Sequence, residues 1–305
     1  MAGVIATSNH PKFLWPGVTA IWGKEYADHQ TEYTDLFDSY NPQTLAYAED
    51  VQNVGFGLVP VKAQGAAVTY TSEVQGFITR YTPVAYALGY IVTHEELKDD
   101  LYMQVSASRA PSLARGFRQT KERVGANVYN RATNASYLGG DGVALLSTAH
   151  PNTSGGTWSN KLAVDADLSE ASLEDLLTQL ADAEDDQGLN INLMAKGLSV
   201  ATANWWNANR ILKSVYQTGT ANNDISVIVA TNALPMGVKM NHYFTDTNAW
   251  FVRTNCPNGM KYWEREAISL TQDNDFSTKN ALSMGYERYA FGWTDPRAVF
   301  GSTGG

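Results

Sequence analysis

Residues 54–68, Val-Gly-Phe-Gly-Leu-Val-Pro-Val-Lys-Ala-Gln-Gly-Ala-Ala-Val, lead into a Thr-, Tyr- and Val-rich run that ends at Thr93. Residues 54–93 together read as a hairpin too long for a compact core to cover. The run from Val68 to Thr93 has strand composition over most of its 26 residues, against about 5–6 for an ordinary strand. Nearly all extended, it reaches on the order of 80 Å, about twice the width of a compact domain built from a chain of this length. Part of it must project. A lone two-stranded ribbon is marginal in water, so the projection needs another surface, most simply a second copy of the chain.

Composition bounds the rest. The chain has 305 residues, enough for a sizeable core and about two domains. It carries 22 Lys and Arg against 31 Asp and Glu, a net charge of −9, which is the wrong sign for gripping a nucleic-acid backbone over the whole surface. The single Cys256 excludes an internal disulfide framework and any multi-cysteine metal site, and fits a reducing compartment. The first residues show no basic region followed by an apolar stretch of signal-peptide length. No window approaches 18 consecutive apolar residues, so a soluble protein made in a cytoplasm is expected.

Residues 1–50 read as an arm. Trp15-Pro16-Gly17 is a turn signal, Val18 to Lys24 a short mixed segment, and Tyr26 to Phe37 holds large apolar groups with too little periodicity to make a core of their own. After the hairpin, Thr93 with Glu96 forms a capping-box signature. Helical spacing of Leu97, Leu101, Val105, Leu113, Phe117, Val124 and Val128 predicts a helix from His94 to Ala132, about 58 Å if continuous. Pro111 predicts a bend or break. Its exposed side is expected to carry Arg109, Arg115, Arg118, Lys121, Arg123 and Arg131, either as a phosphate-facing stripe or, as the simpler reading, as a solvated face or intersubunit ion pairs.

Residues 133–168 are loop-rich. Ser169 to Gln187 reads as an amphipathic helix stopped by Gly188, and Thr202 to Val215 as another, followed by a flexible loop from Tyr216 to Asp224. Strands are expected at Ser226–Ala230, Ala249–Arg253, Met260–Leu270 and Ala281–Gly292. The pattern is mixed α+β rather than a regular alternation.

Chemistry is scarce. The five histidines are scattered without metal-site spacing. Ser147 and His150 invite a nucleophile–base reading, yet no Gly-x-Ser-x-Gly elbow is present. Gly55-Phe56-Gly57 lacks the third glycine and the following helix of a dinucleotide fingerprint. Asp273-Asn274-Asp275 starts like a calcium loop, but Thr278 and Met284 stand where glycine and glutamate are needed. No catalytic, cofactor-binding or metal-ligating residue is assigned, and a non-enzyme is expected.

The chain does carry a resemblance. Leu14-Trp15-Pro16-Gly17-Val18, Glu25-Tyr26-Ala27, Glu32-Tyr33-Thr34-Asp35-Leu36-Phe37 and Ala48-Glu49-Asp50 resemble the N-terminal arm of tailed-bacteriophage major capsid proteins. Gln75-Gly76-Phe77, Arg80-Tyr81-Thr82, Arg118-Gln119-Thr120-Lys121-Glu122 and Asn127-Val128-Tyr129-Asn130-Arg131-Ala132 are similar to the same family. So are Leu146-Ser147-Thr148-Ala149-His150-Pro151, Glu287-Arg288-Tyr289 and Phe291-Gly292-Trp293-Thr294-Asp295-Pro296-Arg297.

The resemblance implies an α+β, Hong Kong 97-like capsid fold. It divides the chain into an arm at 1–50, an extended loop with its adjoining strand at 51–92, and a peripheral domain with the spine helix at 93–195. An axial domain follows at 196–265, and C-terminal strands returning to the peripheral domain at 266–305. Extended-loop candidates for intersubunit contact are Lys62, Gln64, Tyr70, Glu73 and Arg80; the spine-helix basic face is Arg109, Arg115, Arg118, Lys121 and Arg123.

The implied function is a self-assembling homo-oligomer, hexamers and pentamers closing into an icosahedral phage head around double-stranded DNA. Scaffolding, from a separate protein since the sequence opens at the arm, a portal and decoration proteins are implied partners. The virion is the implied location, with assembly in the host cytoplasm and no membrane or cofactor involved. Some relatives join subunits through a Lys–Asn isopeptide. Lys62 is the candidate lysine here, but no asparagine or catalytic glutamate matches, so non-covalent locking is expected. The alternative is an encapsulin-type compartment enclosing cargo enzymes.

Overall fold

The computed structural model describes residues 15–40, 43–72, 74–95, 99, 102–216 and 225–305. Helix α1 spans Trp15–Asp28, and a one-turn helix α2, Tyr33–Leu36, leads into strand β1, Asp38–Tyr40. Trp15-Pro16-Gly17 is thus not a turn but the first turn of a helix. Proline is tolerated there because a first-turn N–H has no intrahelical partner.

The expected long hairpin is also revised. Strand β2 is Ala48–Val51, β3 is Ile78–Tyr81 and β4 is Val84–Val92. β3 pairs antiparallel with β2, and β4 pairs with another part of the chain. The Thr82-Pro83 step separates them, since proline brings no ladder donor. The stretch between Gln52 and Phe77, closed at its base by a Gln52 N–H to Phe77 carbonyl bond of 2.9 Å, contains no strand among its described residues.

Helix α3 runs from Tyr102 to Asn130 and passes through Pro111 without interruption. Ala110, Leu113, Ala114 and Phe117 are all buried around that point, and packing on both sides of the proline offsets the lost hydrogen bond. Glu96, Leu97 and Leu101 lie outside the described residues. Two short strands, β5 (His150–Pro151) and β6 (Thr157–Trp158), tack the following loops together.

Helix α4, Glu170–Ala181, opens on a capping box in which Ser169 and Ser172 bond each other's backbone N–H. It ends six residues short of the expected Gln187, because the acids that follow sit badly at a helix C-terminus. The Asp185 carboxylate instead accepts from the N–H groups of Gln187 and Leu189 at 2.8 and 2.9 Å, making a turn.

Strand β7 (Ala195–Ala201) is followed by a 3-10 turn at Thr202–Asn204 and helix α5, Trp205–Lys213. Most of the loop expected after Tyr216, residues 217–224, lies outside the described residues. The strand expected at Ser226–Ala230 is instead a single helical turn, α6, Val227–Ala230. There the β-branched run buries only Ile228, and a turn accommodates that as well as a strand does. Strands β8 (Val238–Asn241), β9 (Trp250–Thr254), β10 (Met260–Asn274), β11 (Ala281–Trp293) and β12 (Val299–Ser302) complete the chain.

Two four-stranded sheets result, in the orders β1-β10-β11-β4 and β12-β9-β7-β8. β1 joins β10 in parallel, Asp38 opposite Lys261, while β12 runs antiparallel to β9 and belongs to the other sheet. The position between residues 265 and 266 falls inside β10. One core cluster links both sheets to α2 and α4 through Phe37, Tyr129, Leu173, Leu198, Trp250, Tyr289 and Phe300. A second seats α1 on α3 through Trp22, Leu113, Ala114 and Phe117. The arm's described part therefore packs on its own chain.

Candidate assembly interface

The loop rooted on β2 and β3 exposes what a soluble chain normally hides. Leu58, Val59, Val61 and Tyr70 are 83%, 91%, 100% and 92% exposed, and Phe56, Val68 and Val74 are each more than half exposed. Among the described residues from 53 to 76, the only backbone–backbone bond is a local one, Ala66 N–H to Ala63 C=O. Contiguous apolar surface of this kind marks an interaction site.

Lys62, Gln64 and Tyr70 lie on this loop, exposed to solvent; Glu73 lies outside the described residues. Arg80 is elsewhere. It sits on β3 at the loop's root, where its guanidinium donates to Glu49 Oε1 at 2.6 and 2.9 Å and lies 4.3 Å from the centre of the Tyr47 ring. The sequence reading omitted Glu49 and Tyr47 as its partners. It also passed over Phe56, Leu58, Val59 and Val61 as contact residues, although four large apolar groups within a Gly- and Pro-punctuated stretch were a readable signal.

The basic face of α3 is not an open stripe. Arg118 and Lys121 are buried. Lys121 forms an ion pair with Glu287 on β11 at 2.8 Å and donates to the Tyr26 hydroxyl at 2.9 Å. Arg118 stacks on the Tyr26 ring and donates to the His29 carbonyl at 3.3 Å. Arg115 is exposed but paired with Glu25 at 2.5 Å. Arg109 is half-buried, and Arg123 faces solvent. The cause is α1 and its following turn, whose aromatic and acidic side chains cover this face. Next to them, the Glu122 carboxylate accepts from Glu32 and Tyr33 N–H groups at 3.2 and 2.8 Å. Burial nonetheless raises its proton affinity above the ordinary carboxylate value.

The groups that might have carried chemistry are structural. His150 is wholly buried, hydrogen-bonded through Nδ1 to Asp141 at 2.6 Å and through Nε2 to Asn160 at 3.2 Å, and stacked on Trp158. The Ser147 hydroxyl accepts from the Ala149 N–H at 3.1 Å, as in a local turn. Burial pushes the Cys256 thiol well up, so no reactive thiolate is available. Among the described residues no group of three or more His, Cys, Asp or Glu side chains is placed to hold a metal, and no helix is long and apolar enough to cross a membrane.

What remains is a double-sheet scaffold with a long helix laid on one sheet and an unpartnered apolar loop. That architecture is similar to solved shell proteins. The virus-like particle from Pyrococcus furiosus superposes with a TM-score of 0.53 at 12% identity, covering 94% of this chain and 98% of that one. The capsid of Myoviridae phage XM1 gives 0.51 at 11% identity over the whole of both chains. The capsid of the native GTA particle gives 0.51 at 14% over 90% of each. The fold is thus an α+β, Hong Kong 97-like capsid fold. A sequence profile described as phage capsid protein matches residues 76–301. The chain belongs to that family. Comparison with curated protein sequences gives no match.

Proposed function

We propose that this chain is the repeating subunit of an icosahedral phage head, assembling as hexamers and pentamers that close around double-stranded DNA. The observation that carries the reading is the exposed apolar loop between Gln52 and Phe77. A monomer leaves these side chains and their backbone wet, and neighbouring copies cover them. Obligate interfaces of this sort exceed about 2,000 Å², enough for individually weak contacts to hold a shell.

In this reading residues 1–50 are the arm, 51–92 the extended loop and its strand, 93–195 the peripheral domain, 196–265 the axial domain and 266–305 the closing strands. The net charge of −9 suits a wall that touches DNA non-specifically and lets it pass in and out. Scaffolding, portal and decoration proteins are the expected partners, assembly takes place in the host cytoplasm, and the subunit performs no catalysis. Locking between subunits is non-covalent.

The test is to express the chain alone and with its packaging partners, then follow it by sedimentation and electron microscopy. Closed particles built from rings of six and five, with nuclease-protected DNA after packaging, are expected. A strictly monomeric protein across salt and concentration overturns the proposal. The likeness to the Pyrococcus furiosus virus-like particle keeps a second reading in play, an encapsulin-type shell, which particles filled with protein instead of DNA would favour.

A further inference from the structure

The sheet β1-β10-β11-β4 has two edges, and they are built differently. At one, β1 is three residues long and carries Asp38, paired with Arg253 at 2.6 Å. Short, charged strands of this kind resist further pairing. At the other edge, β4 reads Val84-Ala85-Tyr86-Ala87-Leu88-Gly89-Tyr90-Ile91-Val92, without a charge or a proline. It meets β11 residue for residue, from Val84 opposite Tyr289 to Val92 opposite Ala281, and has no bulge. The devices that blunt an exposed edge are missing from it.

The strand is also bare. Beyond the ladder to β11, residues 84–89 make no backbone–backbone hydrogen bond among the described residues. Val84, Leu88 and Ile91 are 54%, 58% and 59% exposed, and Ala85, Ala87 and Gly89 face solvent. An open apolar edge of this length is a template for another strand. Its own sequence says which one. β4 reads nearly the same in both directions about Leu88: Val84 mirrors Val92, Tyr86 mirrors Tyr90, and the small Ala87 mirrors the small Gly89. Ala85 and Ile91 are the one unlike pair.

We infer that β4 pairs antiparallel with β4 of a second copy across a two-fold axis at Leu88. Antiparallel pairing runs one strand backwards along the other, so each residue meets its mirror. Leu88 then opposes Leu88, with a Tyr86–Tyr90 pair on either side of it on the same face. Aromatic and aliphatic cross-strand pairs of this sort stabilise a sheet. On the other face Ala87 opposes Gly89, and two small residues let the strands approach closely. The chain has a net charge of −9, yet neither strand brings any charge to the joint, so the strands do not repel each other. A two-fold contact uses one patch on both copies and saturates at two. It therefore links neighbouring rings of a shell instead of closing one ring. The inference rests on the shell reading and adds to it a contact between rings.

The test uses full-length Leu88→Cys, Ala85→Cys and Ile91→Cys, since the one native thiol, Cys256, is buried. Assembled particles are mildly oxidised, run on a non-reducing gel, and their linked peptides identified by mass spectrometry. Leu88→Cys is expected to give dimers joined 88 to 88. Ala85→Cys and Ile91→Cys are each expected to give none alone, because like positions then stand about 20 Å apart, and to give dimers joined 85 to 91 when mixed. Particles whose thiols at 88 do not link, or whose Ala85→Cys copies link as readily alone as in the mixture, overturn the inference and leave the shell reading standing. Leu88→Lys is expected to leave the melting temperature of the free subunit unchanged and to cut particle yield about tenfold, since like charges then stand directly opposite. Mixing it with Leu88→Glu copies is expected to restore the yield. Wild-type yield from Leu88→Lys alone, or no recovery in the mixture, also overturns the inference. Chains that link at 88 without ever forming particles overturn the shell reading alone, and chains that do neither overturn both.

Discussion

Lys121 Nζ lies 2.8 Å from Glu287 Oε2, with the two side chains only 3% and 0% exposed, so one buried ion pair bolts the long helix α3 to strand β11. The bolt also holds the arm, because the same ammonium donates to Tyr26. Glu287→Gln leaves the ammonium buried without its counter-charge and is expected to cost about 3–5 kcal/mol. The double change Lys121→Met with Glu287→Leu is expected to recover most of that loss. Urea unfolding of the unassembled subunit measures both.

Four phenols, those of Tyr81 on β3, Tyr129 on α3, Tyr262 on β10 and Tyr289 on β11, are held above their ordinary value of 10.0 by burial. In the unfolded chain they ionise near pH 10; in the folded chain they keep their protons. The stability they contribute is therefore complete below about pH 10 and is lost as pH rises above it. Absorbance near 295 nm is expected to show these tyrosines ionising only together with unfolding. Their ionisation in a chain whose far-ultraviolet circular dichroism is still native contradicts this.

Gly285 on β11 faces Phe117 of α3 so closely that an added Cβ would lie 2.5 Å from the ring. Phe117 in turn packs edge-on against Trp22 of α1, with ring centres 5.8 Å apart. Gly285→Ala is expected to destabilise by about 1–3 kcal/mol through overpacking and to loosen α1. The checks are a lowered melting temperature and faster proteolysis near residue 28. An unchanged melting temperature would show that the ring has room to shift.

Val61 is 100% exposed and Lys62 beside it faces solvent. Val61→Asp is expected to leave the free subunit's stability within about 0.5 kcal/mol, as for other surface changes, while lowering particle yield by an order of magnitude. Lys62→Arg is expected to leave mature particles dissociating to single chains on a denaturing gel, as the wild type does. A ladder of covalent multimers in the wild type that vanishes in Lys62→Arg refutes non-covalent locking.

The sequence announced features whose cause is local. The leucines of α4 repeat at helical spacing behind a serine cap, and β10 and β11 carry aromatic residues, Tyr262 and Trp263 on one and Tyr286, Tyr289, Phe291 and Trp293 on the other, on either side of a polar turn. The bareness of the 54–68 stretch followed from its length and apolar content.

Features decided across the chain were not legible. β1 finds its partner more than 200 residues away, Asp38 against Lys261, and no neighbouring residue signals that pairing. The arginines and lysine of α3 look like a solvated face until α1 is laid over them. Trp15-Pro16-Gly17 reads as a turn by dipeptide rules, and becomes a helix start because Trp22, two turns on, has Phe117 to bury against.

The late pairing of β12 with β9, and of β1 with residues 261–263 of β10, has a kinetic consequence. Neither sheet can close until the strands between residues 260 and 302 have left the ribosome, so earlier strand edges stay uncapped until then. An interrupted translation product lacks the pieces that complete both sheets. Such a product cannot fold far enough to join a growing lattice, and subunit integrity is thereby checked by folding itself.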